Sequence, residues 1–235
     1  MKGSEITVVI VTVLTLAACN TVSGSGNVVT RQIDAPSFST LEVSDGFAVN
    51  LAIGSSQTVT VRVDDNLVDI LDAGVSDDTL HIGLESRTEV TDATLEADVA
   101  IGSLASLEAS GASTVTLVDP LDATSLAVRL SGASQVTGPI EIDEGSLELS
   151  GASRARLSGS ATTLGVTERG ASRFDAPELT IDELTIDVSG ASTAEVAVTG
   201  SLSAVASGAS MVHYAGSPMV ARSDESGAST IEPIS

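Results

Sequence analysis

The chain is predicted to be all-β: a single-stranded parallel β-helix (solenoid) with coils of about 19 residues and a divergent N-terminal cap. Three observations predict it. Ser-Gly-Ala-Ser occurs six times and Arg-Gly-Ala-Ser once, with glycines at Gly111, Gly132, Gly151, Gly170, Gly190, Gly208 and Gly227. Successive glycines lie 21, 19, 19, 20, 18 and 19 residues apart, an interval that marks stacked repeats. Around each glycine, apolar and polar residues alternate with a period of two, the pattern of strands rather than of helices.

The first element is an export signal. Lys2 precedes an apolar run from Ile6 to Leu14, and Leu16-Ala17-Ala18-Cys19 ends it in small residues before a cysteine. This run is short for a spanning helix. Leu-Ala-Ala-Cys resembles the lipobox of bacterial lipoproteins, which implies a signal peptide over residues 1–18 and a lipidated Cys19 that anchors the chain to a membrane. Asn20, in place of Asp, implies the outer membrane of a Gram-negative bacterium by the same resemblance. Cys19 is also the one cysteine, so an intrachain disulfide is impossible. Residues 19–26, with Ser23-Gly24-Ser25-Gly26, read as a flexible tether, and residues 27–235 as one elongated domain.

The first strands come next. Phe38 to Val43 leads into Ser44-Asp45-Gly46, read as a divergent bend, followed by strands at Phe47–Ile53 and Thr58–Val63. Leu67–Leu71 is one helical turn or another edge, and Thr79–Leu84 is a strand. This half is expected to form the cap and the first, longer coils, since a bare solenoid end invites aggregation.

Each later repeat reads as strand, Gly-Ala-Ser bend, strand, second turn and short strand. The inward columns are Leu107, Val128, Leu147, Val166, Ile186, Ala204 and Ser223 (four before the glycine); Ala109, Leu130, Leu149, Glu168, Val188, Ala206 and Glu225 (two before); and Val115, Val136, Ala155, Phe174, Ala194, Val212 and Ile231 (four after). Second turns are expected at Asp119-Pro120, Gly138-Pro139, Gly159-Ser160, Gly200-Ser201 and Gly216-Ser217. In the bend, glycine supplies a positive φ, alanine is expected to stack on alanine inside the corner, and serine to form hydroxyl ladders. An ice- or crystal-binding array would need a uniform face, and the outward column Thr114, Gln135, Arg154, Arg173, Thr193, Met211 and Thr230 is too mixed for one.

Composition narrows the function. The formal net charge is −22 and the one lysine lies in the signal, so nucleic acid is not an expected partner. One Tyr, three Phe and no Trp leave few stacking platforms for a sugar-processing groove. The acids Asp64-Asp65 and Asp77-Asp78 sit in turn-like surroundings, as solvated carboxylates, and His81 and His213 have no second ligand at metal spacing. No catalytic residue, metal or cofactor is expected, although a polysaccharide lyase or hydrolase of this fold stays an alternative. The local departure is the fourth copy, where Arg169 replaces serine and Glu168 enters an inward column. With Arg154, Arg156 and Arg173 it gathers four of the mature chain's nine arginines. These four are the candidate anion- or glycan-binding patch; the competing reading is neutralisation by Glu168 and Asp175.

The start Gly26-Asn27-Val28-Val29, the segment Leu41-Glu-Val-Ser-Asp-Gly-Phe-Ala-Val-Asn-Leu51, Asp64-Asp-Asn-Leu67, Asp77-Asp-Thr-Leu-His-Ile82 and the Ser-Gly-Ala-Ser coils together resemble the putative auto-transporter adhesin, head GIN domain family. The resemblance spans about residues 27–230. It implies a right-handed helix and an exported, often lipid-anchored protein, and it transfers no site residues; the residues themselves predict a non-enzymatic adhesin or envelope scaffold. The expected partners are a membrane through Cys19, a glycan or envelope protein and, in a purely structural reading, further copies of the chain.

Overall fold

The computed structural model describes residues 20–54, 56–85 and 88–234. Residues 1–18, expected to be a signal peptide, and Cys19 lie outside them. The N-terminal half holds β1 (Asn20–Ser23), β2 (Val28–Ile33), β3 (Thr40–Val43), β4 (Ala48–Ile53), β5 (Thr58–Asp64), the 3-10 turn η1 (Asp65–Ile70), β6 (Leu71–Ser76), β7 (Thr79–Leu84), β8 (Thr88–Thr91) and β9 (Leu95–Ile101). The coils follow as β10 (Ser106–Ala109), β11 (Thr114–Leu117), β12 (Leu121–Leu130), β13 (Gln135–Leu149), β14 (Arg154–Glu168), β15 (Arg173–Val188), β16 (Thr193–Ala206), β17 (Met211–Ala215), β18 (Met219–Glu225) and β19 (Thr230–Pro233). Every pairing among β10 to β19 is parallel, as the repeat period requires of a solenoid.

The inward columns hold up to the sixth coil. Leu107, Leu130, Val136, Phe174, Ile186 and Val212 are all buried, and they belong to one continuous core. In the last coil Ser223 and Glu225 are exposed and Ile231 is half-buried, because no further coil among the described residues covers them.

The corner is built differently from the expected alanine stack. The motif alanines, Ala112 to Ala228, are all exposed, whereas Ser113, Ser134, Ser153, Ser172, Ser192 and Ser210 are at most 2% exposed. The inner serine closes the bend: Ser113, Ser153, Ser172, Ser210 and Ser229 donate their hydroxyls to the carbonyl three residues back at 2.7–2.9 Å. Alanine contributes its backbone. From the third copy on, its N–H donates to the glycine carbonyl of the preceding coil at 2.7–2.8 Å. That ladder draws the glycines so close that a Cβ on Gly190 would stand 2.5 Å from the Gly170 carbonyl oxygen, at a φ of +84°. Glycine is thus fixed by both backbone region and space.

The second turns at Gly138 and Gly159 do not break the strand. β13 and β14 run through them because the neighbouring coil bends at the same place and keeps the backbone paired. Differences in repeat length are absorbed there as well: pairing slips between Arg156 and Gly159, and again between Ala176 and Thr180, so the Gly-Ala-Ser corner stays in register.

In the N-terminal half, stack order departs from chain order. β3 and β4 do form a coil around Ser44-Asp45-Gly46, but it lies directly against β10 and β11. The described residues between Gly54 and Ile101 loop out and return to its other side, where β7 pairs with β3 and β9 with β4. They form a cap rather than first coils: β5 runs antiparallel to both β2 and β9, and β6 antiparallel to β7. The alternatives for Leu67–Leu71 resolve to a 3-10 turn over Asp65–Ile70. The tether expected at residues 19–26 differs as well. β1 pairs with β8, Ser25 donates its hydroxyl to Asp65, and the Asn66 amide donates to the Ser23 carbonyl. Asp64 is not a solvated turn acid: it is fully buried under Gly24 and accepts the Thr94 N–H at 3.1 Å.

Candidate functional site

The corner divides the surface into a leading face, made by strands entering Gly-Ala-Ser, and a trailing face, made by strands leaving it. On the trailing face register sets Thr114, Gln135, Arg154, Arg173, Thr193, Met211 and Thr230 in one outward row. Arg154 and Arg173 are therefore lateral neighbours about 4.8 Å apart along the stack. Arg156 sits one pleat further and pairs with Asp175, 2.7 Å from Nη2 and 3.1 Å from Nε. Arg173 lies 4.0 Å from Asp175 and 3.9 Å from Glu195. Arg154 is exposed and makes no ion pair among the described residues. Three arginines thus meet two acids, and Arg154 is the cation left over.

Arg169 does not join them. Its position before the glycine puts it on the leading side of the corner, at the end of an open groove of about 440 Å³. The groove follows a second outward row, His81, Glu42, Glu108, Arg129, Glu148 and Thr167. His81 Nδ1 lies 2.7 Å from Glu42, and Arg129 bridges Glu108 at 3.0 Å and Glu148 at 3.5 Å. Those two carboxylates, Glu108 foremost, raise the Arg129 pKa. The repeat part of this row was legible as polar positions; its continuation into Glu42 and His81 was not, because these strands join the stack out of chain order.

Glu168 neutralises no arginine. It points inward between Leu149 and Val188, is fully buried, and neither carboxylate oxygen has a hydrogen-bond partner. Burial pushes its pKa up to about 8; the Phe174 N–H, outside hydrogen-bonding geometry, and the Arg173 charge pull the other way. Burial thus favours its neutral form at pH 7. Compensation of the arginines falls to Asp175 and Glu195.

Other acids and histidines are engaged locally. Arg62 bonds Glu96 at 3.0 Å and also binds Asp98, and with help from the Asn50 amide it holds the Asp98 carboxyl below its ordinary range. His213 pairs with Glu232 at 3.3 Å. Asp77 and Asp78 form the left-handed turn between β6 and β7, where the Asp78 carboxylate takes the Ser39 hydroxyl.

The fold has solved counterparts. A putative adhesin from Bacteroides fragilis is similar over 91% of this chain and 100% of its own, with a TM-score of 0.85 and 18% identity. A putative adhesin from Parabacteroides distasonis covers 92% and 100%, at 0.73 and 20%. A putative lipid binding protein from the same species covers 92% and 100%, at 0.74 and 18%. At these identities the likeness shows the fold alone. No curated protein matches the chain. The family model for the putative auto-transporter adhesin, head GIN domain, matches residues 37–218, from the last residue before Phe38 to the second turn of the sixth repeat, and the chain belongs to that family.

Proposed function

We propose that the chain is a non-enzymatic, lipid-anchored adhesin or scaffold of the bacterial envelope that contacts anionic glycan through its trailing face. The observation that carries this reading is Arg154: an exposed guanidinium without an acidic partner, stacked on Arg173, in a chain of net charge −22. A planar fork of donors suits the carboxylates or sulfates of an acidic polysaccharide. The flanking Gln135 and Thr193 extend the row with neutral hydrogen-bonding groups. Arg169 belongs to the groove and is not required for this contact. Lipidation at Cys19, export, and placement in the outer membrane rest on the Leu-Ala-Ala-Cys-Asn segment.

The test is a glycan array read together with a reducing-sugar assay, on protein lacking the first 19 residues. Retention of sulfated or uronic glycans without release of sugar ends supports the reading. Arg154→Ser with Arg173→Ser removes that retention and leaves the melting temperature unchanged, whereas Arg169→Ser leaves retention intact. Release of reducing ends would instead establish the carbohydrate-active alternative. Labelled palmitate in cells reports the anchor: incorporation disappears in Cys19→Ser.

A further inference from the structure

The two ends of the stack are finished differently. The N-terminal end is covered by antiparallel strands, whereas β18 pairs with β16 and with no later coil among the described residues. Its outer edge can be read from the ladder. Ser226 N–H donates to the Ala206 carbonyl, so the backbone groups of alternate residues Asp224 and Arg222 face β16. Those of Ser223 and Glu225 face away, which leaves two free donor–acceptor pairs in a row; Ala221, before them, is the extra residue of a bulge against β16.

The adjacent β19 is closed in the same coil. The residues whose backbone groups face away from β17 are Ile231 and Pro233. The Ile231 N–H is taken by the Glu225 carboxylate at 2.8 Å, and Pro233 has no N–H. Docking is therefore confined to β18. The strand is self-complementary about Ser223. In an antiparallel pair centred there, Ser223 meets its own copy and Arg222 meets Asp224 twice. Within one chain Arg222 already lies 2.7 Å from Asp224 on a fully exposed strand, so both side chains stand on the same side and are free to exchange partners. An edge charge prevents pairing when it meets its like; on this axis it meets its opposite. Met219 and Val220, 69% and 44% exposed, lie at the end of the same strand and would be covered against the partner's Gly227 corner.

We infer that β18 is a docking edge for a second copy of this chain, paired antiparallel about a two-fold axis at Ser223, so that two solenoids join end to end at their C-terminal coils. The inference is independent of the glycan reading.

Sedimentation of the full chain in mild detergent tests it, at concentrations from about 1 to 100 µM, the range that separates a micromolar dimer from a monomer. A two-fold dimer is expected. Arg222→Asp and Asp224→Arg should each weaken it about tenfold or more, and the double variant Arg222→Asp/Asp224→Arg should restore it. Ser223→Pro should abolish the dimer, since it removes an N–H that points away from β16. If that variant fails to fold, the charge exchange decides alone. A monomer across the whole range overturns the inference. So does a dimer or longer polymer indifferent to the charge exchange.

Discussion

The first coil and the seven that follow turn the same kind of corner by different means. In the repeats, glycine occupies the left-handed position because the previous coil's glycine carbonyl lies 2.4–2.6 Å from any Cβ at Gly151, Gly170, Gly190, Gly208 and Gly227. In the first coil that position is held by Asp45, at a φ of +59°. It has no earlier Gly-Ala-Ser coil beside it. Its carboxylate accepts the Leu84 N–H at 2.9 Å and so ties the coil to the cap. Phe47, fully buried, takes the place of the inner serine: its carbonyl accepts the Thr114 N–H just as the Ser113 carbonyl accepts that of Gln135. The contrast shows that the repeated tetrapeptide is a demand of one coil lying on an identical coil. Where the neighbour differs, the chain uses side chains that link different structures.

Exchanging the two corner types gives the largest expected effect. Gly190→Asp forces a Cβ into the Gly170 carbonyl and should cost about 5 kcal/mol or more, seen as loss of a cooperative melt. The reciprocal Asp45→Gly keeps the backbone and loses two bonds, from the Leu84 N–H and the Ser44 hydroxyl, so about 1–2 kcal/mol in a denaturant titration. Equal costs would refute the distinction.

The second test concerns the imperfect fourth repeat. Glu168 has a folded pKa raised from 4.5 to about 8, so the folded state holds a proton that the unfolded state releases. Its contribution is fully present below the unfolded pKa and is lost as pH rises from about 4.5 to about 8. Glu168→Leu, which restores the apolar column, should stabilise the protein by about 4 kcal/mol more at pH 8 than at pH 4. Melting temperatures at the two pH values, compared with wild type, check the sign.

A smaller effect separates cap from coils. Asp64→Ala leaves the Thr94 N–H unpaired under Gly24 and should cost about 1–3 kcal/mol. Hydrogen exchange should accelerate across β1, β8 and β9 while the protection of β13 to β16 is retained. The smallest is internal to the corner. Ser153→Ala loses a 2.7 Å bond and should cost about 1 kcal/mol, whereas Ser134→Ala, whose hydroxyl has no partner, should be neutral within about 0.5 kcal/mol.

The repeat columns were legible because strand alternation is local: Leu107, Leu130 and Phe174 face inward wherever their strands are placed. The inner serine was legible too, had the alternation been carried straight through the glycine, since it falls two residues beyond in the same phase as the core. The supposed arginine cluster was half legible. Arg154, Arg156 and Arg173 share a face by strand phase, but Arg169 precedes the bend, and a corner between them changes which face a side chain joins.

What the sequence determined by itself is the coil length, the inward columns and the glycine corner, all properties of segments shorter than one repeat. Tertiary structure alone decided that β3 and β4 lie between the cap strands β7 and β9 and the coil strands β10 and β11, that burial favours the neutral form of Glu168, and that among the described residues β18 keeps a bare edge while Glu225 closes β19. Each of these depends on which strand comes to lie beside which, and backbone pairing between distant strands leaves no local pattern to read.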